Sequence, residues 1–123
     1  MSAVGFNISA SHFGESQSSF LSARLVADRL GVTLAELAKL IGVARNTLTA
    51  KSSARKVDHA LSHVVRILAM ASEMAGDENR AIIWFKHQPI PGWAGKTAYD
   101  LVGEGKADKV LAYLEAVRSG VYA

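Results

Sequence analysis

Apolar positions recur with helical spacing along most of the chain beyond residue 19, and no stretch alternates with the period of two that a strand requires. Phe20, Leu21, Leu25, Val26 (or Ala27) and Leu30 form a first stripe, closed by Gly31. Thr33-Leu34-Ala35-Glu36 then has the form of a capping box, in which the threonine hydroxyl and the glutamate carboxylate satisfy each other's backbone N–H groups. It predicts a short helix with Leu34, Leu37, Ala38 and Ile41 on one face, stopped by Gly42. Val43 points inward, and a second short helix follows from about Ala44 to Lys51, anchored by Leu48. A small residue at a close crossing (Ala38), a glycine turn and an anchored second helix make a helix–turn–helix pattern.

Ser52-Ser53-Ala54 reads as a break, and Asp58 as the N-cap of a long helix reaching about Ala75. Its core stripe is Leu61, Val64, Val65, Leu68, Ala71 and Met74 or Ala75, widened by Ile67 and Met70. An apolar arc this broad predicts burial on two sides, against the helix–turn–helix lobe and against either a C-terminal lobe or a second protomer. Gly76 closes that helix and Asp77-Glu78 opens the next, with Ala81, Ile82, Trp84 and Phe85 as its apolar surface up to Pro89. Beyond it, Thr97-Ala98-Tyr99-Asp100 is a second capping box, approached through two prolines and Trp93. Val110, Leu111, Leu114 and Val117 then mark a last helix, followed by Gly120 and an aromatic, Tyr122.

Composition narrows the chemistry. No cysteine is present, which removes disulfides, thiolate metal sites and cysteine nucleophiles, and a reducing cytoplasm is the expected location. No apolar run approaches the ~20 residues of a membrane span, and the first residues lack the charged start and apolar run of a signal peptide. The net charge is +3, unevenly spread: residues 24–66 carry eight Lys/Arg against three Asp/Glu, and residues 67–123 carry six against seven. A central basic segment suits a polyanion, although a solvated basic face would give the same balance. In the second helix of the turn motif, Arg45, Asn46 and Thr49 are expected to point outward, where arginine can read guanine and asparagine adenine. Lys51, Arg55 and Lys56 follow without an intervening acid and suit phosphates. The competing reading keeps the same hairpin as a packing or dimerisation unit.

Motifs for catalysis fail on inspection. His59 and His63 stand four apart on a helix, yet Ala60 occupies the place where a zinc protease needs its glutamate, and no third ligand follows. A solvated pair beside Ser62 and Arg66 is the expected arrangement. Gly95-Lys96-Thr97 ends like a phosphate-binding loop, but Ile90 stands where the first glycine is required. At Gly105-Lys106 the mismatches are Asp100 and Ala107. No catalytic triad or carboxylate pair can be picked out, so no enzyme activity and no cofactor are expected.

The C-terminal residues resemble the MbcA/ParS/Xre antitoxin family. That family's pattern is a Trp-hydrophobic pair, a proline-containing turn, Gly-basic-Thr-x-x-x-Leu, two glycines, a Val-x-x-x-Leu helix and a Gly-Val-aromatic end. Here these are Trp84-Phe85, Pro89, Gly95-Lys96-Thr97 with Leu101, Gly103 and Gly105, Val110 to Leu114, and Gly120-Val121-Tyr122-Ala123. The resemblance runs from roughly residue 20 to the end. Ala98 departs from it, because the family often has proline at this first helical position. Lys96 departs as well, replacing a common arginine and giving up a two-point contact.

The resemblance implies an all-α fold, with an N-terminal helix–turn–helix lobe packed on a C-terminal helical lobe that binds a cognate toxin. The expected division is a flexible tail over 1–19, the helix–turn–helix lobe over 20–56 and the toxin-binding lobe over 57–123. The implied partner is a RES-type toxin that consumes NAD or ADP-ribosylates a target. The C-terminal segment would block its NAD-binding cleft, and the helix–turn–helix would repress the operon. The expected toxin contacts are Trp93, Lys96, Thr97, Tyr99, Arg118, Gly120, Val121, Tyr122 and Ala123, with the acids Asp100, Glu104, Asp108 and Glu115 available to an electropositive cleft. A homodimer within the complex is expected. The alternative is a stand-alone helix–turn–helix repressor whose C-terminal lobe only dimerises.

Overall fold

The computed structural model describes residues 19–120. The fold is all-α: α1 (Ser19–Leu30), α2 (Leu34–Ile41), α3 (Arg45–Thr49), α4 (Ala54–Ala75), α5 (Glu78–His87), α6 (Ala98–Gly103) and α7 (Ala107–Arg118), with one 3₁₀ turn (Lys51–Ser53) between α3 and α4. Of the tail expected over residues 1–19, residues 1–18 lie outside the described residues, and Ser19 is already the first residue of α1.

Both capping boxes form. At α2 the Glu36 N–H donates to Thr33 Oγ1 at 3.0 Å and the Thr33 N–H to Glu36 Oε1 at 2.8 Å. At the far end Gly42 takes a φ of +77°, a conformation costly for any residue with a Cβ. Its N–H reaches the Lys39 carbonyl and that of Val43 the Ala38 carbonyl, which ends the helix and turns Val43 onto the core.

The start of the long helix corrects the sequence reading. Asp58 is not its cap. The helix begins at Ala54, after Ser53, and no side chain caps it. The 3₁₀ turn feeds straight into it, and Val57 in its first turn is fully buried. Packing, rather than a capping residue, therefore sets this boundary, and Ser52-Ser53-Ala54 continues the helical path where a break was expected. The other end also differs. Met74 and Ala75 face solvent, while Ser72 takes the buried place next to Ala71.

Helix α4 is the hub. It packs against α1 and α3 on one side and against α5 and α7 on the other. The two-sided burial expected from its wide apolar arc is thus satisfied within one chain. Its Val57, Leu61, Val64, Val65, Ile67 and Leu68 belong to one cluster with Val26, Leu30, Leu37 and Leu48 of the N-terminal helices and Phe85, Ile90, Leu101, Val110 and Leu114 beyond. Each of the larger side chains stabilises the fold by ~1.5–3 kcal/mol when removed from water.

Polar links add to this join. Arg29 at the end of α1 donates from Nη1 to both carboxylate oxygens of Glu78, at 2.9 and 2.8 Å. Glu78, read from the sequence only as an acid at a helix start, is buried and paired. Lys86 donates to the Leu30 carbonyl at 2.9 Å, satisfying an end group of α1 from across the interface. Helix α2 also touches α6 directly.

Two consequences are measurable by chemical denaturation. Phe85→Ala should cost about 3–5 kcal/mol, because its ring is fully buried and the void is closed by helices on several sides. Arg29→Ala should cost about 1–3 kcal/mol by leaving the Glu78 carboxylate buried without this donor.

Candidate functional site

The segment from Pro89 to Lys106 forms the candidate site. It has little regular structure at its start, and its shape comes from a few backbone bonds. The Ile90 N–H donates to the Lys96 carbonyl at 2.8 Å, closing a loop tethered at Pro89 and Thr97 by a single antiparallel bridge. Within the loop the Trp93 N–H donates to the Ile90 carbonyl and the Lys96 N–H to the Trp93 carbonyl. Ile90 is buried and holds the base. At the tip Gly92, Ala94 and Gly95 all have positive φ. Ala94 is the one non-glycine residue in that region among those described, at φ +54°, a cost of about 1–2 kcal/mol.

Thr97 is the cap of α6. The Asp100 N–H donates to its Oγ1 at 3.1 Å, and its own N–H donates to Asp100 Oδ2 at 3.0 Å. This accounts for Gly95-Lys96-Thr97 without a phosphate. Helix α6 ends as α2 does: Gly105, at φ +82°, donates to the Val102 carbonyl and Lys106 to that of Leu101.

The side chains of this segment form two groups. In the first, Lys96 Nζ lies 2.8 Å from Glu104 Oε2 and Lys106 Nζ 3.3 Å from Glu104 Oε1. The same Lys106 ammonium stands 5.6 Å from the centre of the Trp93 ring, over which it makes a cation–π contact. The hydrogen bond from Lys96, with that from Lys106 and both positive charges, holds the Glu104 carboxyl below its ordinary value of 4.5, against a smaller opposing effect of burial. These bridges are therefore intact above pH 4.5 and are lost as the pH falls through the lower folded value.

In the second group, Tyr99 packs edge-on against Phe85, with ring centres 5.9 Å apart. It also lines a cleft of about 370 Å³ with Glu36, Lys39, Leu40, Asp100 and Gly103, between α2 and α6. Burial, helped by the charge of Glu36, raises the Tyr99 pKa above 10.0. Tyr99 is half-buried, so it serves the core with one side and the cleft with the other.

Of the remaining expected contacts, Arg118 pairs with Glu115 at 2.7 Å and reaches Glu73 of α4 at 3.8 Å. Gly120 is exposed with φ +87°. Val121, Tyr122 and Ala123 lie outside the described residues. The acids read as free are partly engaged: Asp100 in the cap, Glu104 with two lysines and Glu115 with Arg118. Asp108 is exposed.

On the other lobe, Arg45 and Asn46 are exposed at the start of α3, and Thr49 is half-buried at its end. Lys51, Arg55 and Lys56 are exposed on the 3₁₀ turn and the first turn of α4. No side-chain bond caps α3, whose N-cap is Ala44.

The histidine pair differs from expectation. His59 is exposed, but His63 is partly buried, and its Nδ1 has no hydrogen-bond partner. The rings meet edge-on at 5.4 Å beside a cleft of about 300 Å³ lined by Leu40, Ile41, Val102 and Asp108. The reason is tertiary: residues of α2 and of the α6–α7 turn line the far side of the cleft that His63 faces. Among the described residues no group of three potential metal ligands forms.

A loop closed by backbone hydrogen bonds and carrying Trp93 thus precedes the last two helices. Residues 70–120 match the family of the antitoxin Xre/MbcA/ParS C-terminal toxin-binding domain. The matched segment, which takes in the end of α4, α5, the Pro89–Thr97 loop, α6 and α7, is similar to that toxin-binding domain. The match begins inside α4, so α1, α2 and α3 precede it. No curated protein and no solved structure matches the chain.

Lys96, Thr97 and Trp93 were legible through the loop motif. Glu104 and Lys106 were not read as partners of that loop, because their contacts depend on how α6 returns the chain. Thr97→Ala should cost about 1 kcal/mol of stability by removing the cap. In a spectrophotometric alkaline titration, Tyr99→Phe should remove a component that ionises above pH 10.0. Stability contributed by keeping Tyr99 neutral is present below pH 10.0 and is lost as the pH rises through the raised folded value.

Proposed function

We propose that this antitoxin neutralises a RES-type toxin that consumes NAD or ADP-ribosylates a target, by lodging its C-terminal segment at the toxin's NAD-binding cleft. The observation that carries this is the family match over residues 70–120, which spans the Pro89–Thr97 loop, α6 and α7. Its geometry agrees. Trp93 and Tyr99 keep part of their rings accessible, Lys96 and Arg118 stand at the surface, and Gly120, exposed at φ +87°, follows α7. Aromatic residues and arginine are the usual anchors of an interface. Thr97 acts through the helix it caps, and Val121, Tyr122 and Ala123 form the inserting tip. The protein works by occupying a site rather than by catalysis, in the cytoplasm and as a homodimer within the complex.

The deciding experiment is co-expression with the adjacent open reading frame, scored for growth, cellular NAD⁺ and co-purification. Deleting Val121 to Ala123 should abolish protection while leaving the helical circular dichroism unchanged. Protection by the shortened chain would refute the tip-insertion mechanism.

A second role rests on a separate observation. Arg45, Asn46, Lys51, Arg55 and Lys56 are exposed together, with no acid between Glu36 and Asp58 in sequence. We infer that this face binds the operator, giving autorepression, and a stand-alone repressor would use the same face without a toxin. Arg45→Ala should weaken binding to operator DNA by about 1–3 kcal/mol and relax the preference at one base pair. Lys56→Ala should instead reduce the salt dependence by about one unit of slope. Both are read by fluorescence anisotropy across a salt series. An unchanged affinity and slope in both variants would place the partner elsewhere.

A further inference from the structure

We propose that Glu104 is a positioning residue of the toxin-binding surface, one that sets the side chains of Lys96, Lys106 and Trp93 before any partner arrives. The inference rests on the antitoxin reading above and deepens it.

Helix α6 has only six residues, so it is about 9 Å long and its two ends are neighbours on the scale of a side chain. Lys96 stands just before its cap and Glu104 just after its last residue. The backbone is tied down at both places. The Lys96 N–H donates to Trp93 and its carbonyl accepts from Ile90, while the Glu104 N–H donates to the carbonyls of Asp100 and Leu101 at 3.1 Å each. Only the side chains are left to order, and one carboxylate does it. Glu104 accepts from Lys96 at 2.9 Å and from Lys106 at 3.3 Å, and Lys106 in turn sits 5.6 Å over the Trp93 ring. Three side chains from the loop and the α6–α7 turn thus converge through a single acid.

Ion pairs as exposed as these contribute little to folding. Their effect lies in binding. A lysine that is already held loses less freedom when an interface forms, and a tryptophan with a fixed ring presents a fixed face. The depressed Glu104 pKa accords with a carboxylate kept charged by its two lysines.

The test uses the full chain in two arms. In the first, Trp84→Phe leaves Trp93 as the reporter, and fluorescence quenching is measured with iodide and acrylamide from neutral to acid pH. Glu104→Gln should raise quenching of Trp93 by both agents at neutral pH. The parent chain should acquire the same quenching as acid protonates Glu104, while Glu104→Gln shows no such step. Identical quenching and identical pH profiles in the two proteins would overturn the proposal.

In the second arm, with Trp84 retained, binding to an inactivated form of the adjacent toxin is measured by calorimetry. Glu104→Gln should weaken it roughly five- to 150-fold, the loss expected for freeing two rotamer-rich side chains. Glu104→Asp should recover part of that loss. Wild-type affinity in Glu104→Gln would overturn the positioning role and leave the antitoxin reading standing. A wild-type chain that captures no toxin would remove the antitoxin reading, and this inference with it.

Discussion

Two-sided burial of α4 is the constraint on which the rest of the fold depends. Its residues from Val57 to Leu68 are apolar around too wide an arc for one neighbour to cover. The N-terminal helices take one side and α5 and α7 the other, so both parts of the chain share a single core. The Arg29–Glu78 pair and the Lys86 bond to Leu30 then hold α1 against α5 at the edge of that core, where apolar packing thins out.

That arrangement frees the segment between α5 and α7 from structural duty at its tip. Ile90 and Leu101 anchor the two ends of it in the core. Between them the loop is shaped by backbone hydrogen bonds and by residues at positive φ, including Ala94. A strained residue survives where its surroundings over-determine it, and such places cluster at binding sites. The polar side chains here contact each other, not the interior. The side chains of this surface are thereby held with little burden on the core.

The charge distribution follows the same division. The basic residues of α3 and the start of α4 stay exposed, and Arg45, Lys51, Arg55 and Lys56 stand clear of acids in sequence. In the matched domain, by contrast, Lys96, Lys106 and Arg118 are each paired with an acid. The two parts of the chain thus differ in how much of their positive charge is met by a neighbouring acid.

Much of this was determined by local sequence. The two threonine capping boxes, the glycine stops at Gly31, Gly42 and Gly76 and the apolar stripes depend on residues three or four apart, and such interactions are written in the chain itself. The toxin-binding family was legible for the same reason, since its loop motif is a run of local turn and cap signals. What only the tertiary structure decided involves residues far apart. Asp58 looked like a cap, but the burial of Val57 carried the helix past it to Ala54. His63 looked solvated, but it is partly buried beside a cleft lined from α2 and the α6–α7 turn. Glu78 found Arg29 across 49 positions, and Glu104 gathered Lys96 and Lys106 only because a six-residue helix brings its two ends together. Spacing along a chain specifies a helix; which polar groups meet depends on how helices are docked, and apolar packing decides that.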